Sequence, residues 1–426
     1  MSFLTHRRRW LIVVMLACFS IVNYVDRQAL SVLAPTLRKE LDISTEQYSY
    51  IVSTFLAAYA IGYAIAGKTL DRYGVKIGLA VALTFWSLVG MGHAAVVGWL
   101  SLAGARFLLG LGQSFNTPGG MKALAEWVPQ RERGLSSAIF SNANSLGGVL
   151  APPIVATLAL WLGWRWAFVI TGASGFILLL VWWRTYERPE KHPGLSETER
   201  AEILAGRSLV KAPPTGPVAA EAPVSYWAIL RDRRCFSLCA IRFITDPFAY
   251  FMSFWLLDYF QTVRGFSLQT VALLGWIPFL ASPLFGGPLG GAMSDWLVRR
   301  GIEPRVARLR LMFTAACVMP LSILAVHTDL TWVAMAVVTL LVAANGCWSV
   351  NKLTLASELV PRSQVASLVS LGGIAGSIDG IISTLLAGRL IATVGYVPVF
   401  TGLGFLHLTA FALLAWGQRA PAAKTP

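Results

Sequence analysis

The chain has 426 residues, 56% of them hydrophobic and 13% charged, with a net charge of +14 and a mean hydropathy of +0.62. Soluble domains carry about 25% charged residues, so this composition excludes an ordinary water-soluble protein and puts most of the chain in lipid. The positive excess does not mark a nucleic-acid binder, because the basic residues fall in alternate loops rather than on one soluble face with interleaved aromatics.

Apolar stretches recur at 10–33, 47–67, 76–98, 100–125, 134–160, 164–185, 235–260, 270–295, 307–327, 331–356, 364–390 and 395–417. Each is long enough to cross about 30 Å of hydrocarbon as a helix. None alternates in the manner of a membrane β-barrel strand. The expectation is an all-α membrane protein with twelve transmembrane helices. Arg7, Arg8 and Arg9 precede the first span, Arg72 and Lys76 follow the second, and Arg131 and Arg133 follow the fourth. Arg299, Arg300, Arg305, Arg308 and Arg310 follow the eighth, whereas the opposite loops hold only Arg38, Lys39, Arg165, Arg264 and Arg389. The positive-inside rule then puts both termini in the cytoplasm. Arg7–Arg9 with its apolar run also has the form of a signal peptide, but no small-residue cleavage site follows.

In the first span, Asn23, Asp26 and Arg27 point broadly to one side at about mid-bilayer depth. Charges at that depth are costly and mark function by default. A guanidinium suits a carboxylate bidentately, and an adjacent buried acid can exchange a proton. Their alternative is a structural ion pair between helices. At the end of the second span stands Gly67-Lys-Thr-Leu-Asp-Arg-Tyr-Gly-Val-Lys76. There Gly67 permits close helix packing, and Asp71 can cap a neighbouring helix or pair with a basic residue. In the fourth span Arg106, Gly110, Gln113 and Thr117 share one face by spacing, with snorkelling as the bland reading of Arg106.

The polar stretch 186–234 separates an N-terminal half, 1–185, from a C-terminal half, 235–426. Ser196 and Glu199 form a capping box pattern, which predicts a short surface helix over 197–206. Ala212–Pro217 after it reads as a flexible linker. The halves repeat. Glu126-Trp-Val-Pro129 recurs 232 positions on as Glu358-Leu-Val-Pro361, and Gly148, Gly163, Phe168 and Gly172 recur as Gly380, Gly395, Phe400 and Gly404. Gly67 to Asp71 returns as Gly291 to Asp295. Parallel repeats meeting at a midplane site are a transporter design.

The five cysteines sit in or beside apolar segments and read as packing residues, with no metal set or disulfide framework. His93, His327 and His407 read as interfacial, and Trp10, Trp99, Trp161, Trp182 and Trp183 as an aromatic belt. No nucleotide-binding loop or catalytic constellation appears. No cofactor is expected.

The Gly67–Lys76 element resembles the signature of the major facilitator superfamily. Asn23-Tyr-Val-Asp-Arg27, Lys122–Pro129, Ala151-Pro-Pro153 and Gly163–Phe168 look like its anion:cation symporter branch. Thr245-Asp-Pro247, Phe254-Trp255, Arg264-Gly-Phe266, Trp348-Ser-Val-Asn351 and Gly395–Phe400 resemble the hexuronate transporters within it. The resemblance implies proton-coupled import of a sugar acid through a bacterial inner membrane by a functional monomer. Arg27 would hold the substrate carboxylate and Asp26 would couple protons. Tyr59, Trp348, Ser349 and Asn351, with Asn142 and Asn144, would contact hydroxyls. Gly67, Asp71, Arg72 and Asp295 would form a conformational latch.

Three residues depart from the pattern. Gln113 stands where related carriers have a glutamate, so one proton site is lost. Lys352 and Asp379 interrupt the tenth and eleventh spans. Their depths differ by about 13 Å, too far for a direct pair, whereas Asp246 matches the depth of Lys352. Lys352 is then either a second anion-binding cation or the partner of Asp246, and Asp379 takes over a titratable role. Competing readings are a carrier of an aldonate, dicarboxylate or aromatic acid, an efflux antiporter, and a non-transporting sensor. The polar residues favour a polyol. Gly147–Pro153 lacks the antiporter pattern.

Overall fold

A computed structural model describes residues 8–211, 226–359 and 362–419. In chain order the helices are α1 (Arg8–Val32), α2 (Ala34–Glu40), α3 (Thr45–Gly92), α4 (Trp99–Gln113), α5 (Asn116–Trp127), α6 (Gln130–Leu162), α7 (Trp164–Thr185), α8 (Glu197–Lys211), α9 (Tyr226–Arg231) and α10 (Arg233–Phe254). There follow α11 (Leu256–Thr262), α12 (Leu268–Leu274), α13 (Ile277–Ala281), α14 (Gly287–Arg299), α15 (Pro304–Val318), α16 (Ser322–His327), α17 (Thr331–Leu359), α18 (Arg362–Val394) and α19 (Val397–Gln418).

Among the described residues ten helical runs are long and apolar enough to span a membrane. One of them, Thr45–Ala95, has 51 residues, the length of two spans. It folds back at Gly74, whose φ of 80° belongs to the left-handed region open to glycine. A further span consists of α4 and α5, which are separated at Ser114 and Phe115 and are individually too short. The twelve expected spans are thereby accounted for.

The chain divides into two compact units. One is built mostly from α1 to α8 and the other mostly from α9 to α19, except that 43–53 cluster with the second unit and 271–273 with the first. In the first unit α1 packs on α6 and α7; in the second, the repeat-related α10 packs on α18 and α19. Gly147 sets the first of these contacts. A Cβ there would stand 2.7 Å from Tyr24 Cβ and 2.8 Å from the Ile21 carbonyl oxygen. The second unit's core gathers Cys235, Leu238, Ile241, Met312, Trp348, Leu355 and Leu414.

Helix α8 belongs to the first unit. Ser196 Oγ accepts the Glu199 amide at 3.2 Å, the forward half of the predicted capping box. The return half is not made: the Glu199 carboxylate instead accepts the Arg8 and Arg9 amides at 3.2 and 3.3 Å, capping the start of α1 across the sequence. The buried Arg9 guanidinium also pairs with Glu132 of α6 and Glu202 of α8, each at 2.9 Å. The helix runs to Lys211, past the predicted end at 206. Nearby, Lys76 pairs with Glu187 at 2.9 Å and holds that carboxyl below its ordinary value. The Ala212–Pro217 linker lies outside the described residues.

Candidate functional site in two charged clusters

The first cluster lies in the first unit. Arg27 projects from α1 into an aromatic box, its guanidinium carbon 5.5 Å from the Tyr24 ring centre, 5.1 Å from Phe55 and 4.8 Å from Tyr59. Such rings hold a cation without neutralising it, which leaves the guanidinium charge available to an anion. Its neighbour Asp26 is 3% exposed, and both carboxylate oxygens lack a hydrogen-bond partner among the described residues. Thr171 and the charge of Arg106 are its polar surroundings.

Arg106 is 1% exposed, so it does not snorkel. Its Nη1 donates to the Arg27 carbonyl oxygen at 3.2 Å, and its guanidinium faces Phe168. Gln113 Nε2 donates to the Asn23 carbonyl oxygen at 3.1 Å, and Asn23 Nδ2 returns a bond to the Gln113 carbonyl oxygen at 3.4 Å. Glutamine therefore ties α4 to α1 where an acid was expected. Thr117 lies past the turn at Ser114 and Phe115 and neighbours Tyr63. Of the polar residues on α6, Asn142 is exposed and Asn144 half-buried.

The second cluster lies in the second unit. Asp246 of α10 is gripped by two cations: Arg242 Nε, one turn earlier, at 3.2 Å, and Lys352 Nζ of α17 at 3.1 Å. The depth match between Lys352 and Asp246 is met by this ion pair. Arg242 escaped the sequence reading, since it lies near the start of its span where a basic residue passes for a flank. Asp379 of α18 is 5% exposed, and its Oδ2 has no hydrogen-bond partner among the described residues.

Other expectations move. Trp348 is fully buried in the second unit's core, against the His407 ring, and is a packing residue in this conformation. Asn351 is likewise buried, its Nδ2 donating to the Cys347 carbonyl oxygen at 2.9 Å and to that of Gly290 at 3.4 Å. Ser349 is half-buried. His93 and His407 face neither lipid nor solvent. Both are fully buried; His93 donates from Nδ1 to the Val89 carbonyl oxygen and stacks on Phe168, and His407 meets Asn345 and Phe248. Trp10 and Trp182 are buried too, and Trp182 stacks on Tyr186 with ring centres 4.0 Å apart. Both residues sit at span ends that other elements cover.

At the basic ends, Asp71 pairs with Lys122 of α5 at 2.5 Å. Arg72 lies over Tyr73. In the repeat, Asp295 pairs with Arg308 at 3.0 Å, and Arg308 also reaches Glu358 at 3.4 Å. A Cβ on Gly67 would meet open space, so the close packing expected there is absent. Arg264, from the Arg264-Gly-Phe266 motif, is a loop tie: it donates to Tyr259 Oη and the Thr328 carbonyl oxygen, both at 2.6 Å.

Residues 16–378 match the family described as Major Facilitator Superfamily. Over 413 residues the chain is 30% identical to the hexuronate transporter of Escherichia coli (strain K12), covering 96% of this chain and 93% of that protein. Over 286 residues it is 35% identical to the galacturonate transporter of Dickeya chrysanthemi, covering 67% of this chain and 81% of the other. Among solved structures it is similar to the xylose transporter of E. coli in an inward open conformation, with a TM-score of 0.75 and 15% identity over 98% of each chain. That likeness bears on the fold alone.

Proposed function

We propose that this chain, which belongs to the Major Facilitator Superfamily, imports a hexuronate such as glucuronate or galacturonate together with a proton. Membership makes it a multi-pass membrane transporter rather than an enzyme. The observation that carries the sugar-acid reading is Arg27: a guanidinium at mid-span, boxed by three rings and adjacent to a buried acid. The names of the hexuronate and galacturonate relatives support it.

In this reading Arg27 binds the substrate carboxylate, and Tyr59, Asn142 and Ser349 meet hydroxyls. Asp26 and Asp379 carry the coupled proton, and Arg106, Gln113 and Asp246 organise the charges around them. Asp71, Arg72 and Asp295, near Gly67 and its repeat, latch one state of an alternating-access cycle. The protein sits in a bacterial inner membrane as a monomer with both termini in the cytoplasm, matching the distribution of basic loops. Uptake of labelled galacturonate into proteoliposomes tests the substrate half. Wild-type uptake competed by glucuronate is expected, with Arg27→Gln near background. Full uptake by Arg27→Gln would remove the arginine from the site.

A further inference from the structure

Among the described residues the ion pairs of the second unit's cluster join two cations to one acid. Arg242 and Lys352 contribute two positive charges, and Asp246, which touches both, contributes one negative charge. The remaining acid of the cluster among the described residues is Asp379. It lies one turn along α18 from Gly376, where a Cβ would stand 2.3 Å from Asp246 Oδ2. Asp246 is its electrostatic neighbour, with Ser383 its hydroxyl neighbour. The other titratable groups that face the cluster from the elements packed here are Cys239, Arg242 and Tyr250 of α10, Lys352 of α17 and His407 of α19, on which Lys352 acts.

With Asp379 ionised the cluster sums to zero; with Asp379 protonated it carries one net positive charge. An uncompensated charge inside a membrane protein is costly, so the protonated form gains most from an incoming anion. The room for one exists. A cavity of about 50 Å³ is lined by Arg242, Lys352, Leu238, Leu353, Leu368 and Gly372. That volume takes a carboxylate or a few waters, not a sugar ring. Arg242 and Lys352 both line it, and the leucines keep the rest of its walls apolar.

We propose that Arg242 and Lys352 form a carboxylate-binding subsite in the second unit, and that the proton taken up by Asp379 balances the charge of the bound carboxylate. No covalent bond changes. A proton moves from solvent to an Asp379 carboxylate oxygen as an anion enters, and both leave together. Because linkage is reciprocal, anion binding raises proton occupancy by the factor by which the proton raises anion affinity. The subsite deepens the symport reading and rests on it for the identity of the natural anion, but its own chemistry needs only a carboxylate.

Calorimetry of the purified full-length protein with acetate, in two buffers of different protonation enthalpy, tests it. Acetate is the probe because it fits the cavity. The wild type is expected to take up about one proton per acetate. Arg242→Gln and Lys352→Gln are each expected to weaken acetate about tenfold or more, as for a lost charge-assisted bond. Arg242→Lys, which keeps the charge and serves as the control for folding, retains most of the affinity. Asp379→Asn binds acetate without proton uptake. Wild-type affinity in both glutamine variants, persistent proton uptake in Asp379→Asn, or no acetate binding by the wild type would each overturn the subsite. Acetate binding with this variant pattern but no glucuronate or galacturonate uptake would sink the hexuronate reading and keep the subsite. Uptake that needs Arg27 but ignores Arg242 would do the reverse.

Discussion

Arg27, half-buried, and Arg106, fully buried, are two arginines of one cluster with different work. Arg106 donates to a backbone carbonyl of α1 and shapes the turn around Arg27. Arg27 spends its guanidinium on ring faces. Replacing Arg27 by lysine keeps the charge but loses the planar fork that fits a carboxylate. A charge-assisted hydrogen bond is worth about 1.5–3 kcal/mol, so Arg27→Lys should raise the galacturonate KM by roughly tenfold or more, as measured by uptake. An unchanged KM would mean that the fork is not used. Asp71→Asn should behave in the opposite way. Asp71 is 78% exposed, and its pair with Lys122 stabilises by at most about 1 kcal/mol. Its Tm should stay near wild type while the uptake rate falls; a large Tm loss with normal uptake would make the pair structural.

Asp26, Arg27, Lys352 and Asp379 stood out in the sequence because a charge deep in an apolar run is costly. Arg242 was not, since its depth depends on where α10 begins. The burial of His93 and His407 was hidden for a related reason: a helix end is interfacial only if no neighbour covers it.

At the scale of elements, α1 is fastened along its length. Its middle meets α6 through Gly147, and its first turn is capped by Glu199 from α8. Gly147→Ala forces a methyl against backbone and should lower stability by about 1–3 kcal/mol. Gly67→Ala meets open space and should be nearly neutral. Thermal unfolding in detergent separates the two, and equal losses would contradict this account of the α1–α6 contact. Arg9→Ala should loosen α8, because it removes the buried guanidinium that pairs with Glu132 of α6 and Glu202 of α8. Hydrogen exchange of the α8 amides should rise by about tenfold or more, the mark of roughly 1.4 kcal/mol of lost docking. Unchanged exchange would mean that α8 is held by something else. Sequence spacing found the start of α8 but assigned Glu199 to its own helix. A capping box is a local pattern, and the competing acceptor site, two free amides at the start of α1, lies 190 residues away.

Across the whole molecule the repeat is structural as well as sequential. Gly163 and Gly395 have φ values of 85° and 82° before α7 and α19, and the α1–α6 pairing returns as α10–α18. Twelve spans and the two-fold repeat could be read from hydropathy and recurring glycines, because lipid forces helices and tight turns force glycine. The charge chemistry diverges between the halves. The first unit keeps an arginine in an aromatic box, and the second carries an acid between two cations. Divergence on a repeated scaffold is invisible to the repeat itself and emerges only when side chains meet. The central claim, that an organic anion and a proton move together, is tested most directly by internal pH in proteoliposomes as glucuronate or galacturonate is added outside. The account predicts lumenal acidification that needs Arg27 and is lost when Asp26 and Asp379 are both changed to asparagine. Sugar-acid entry with no change in internal pH would contradict it.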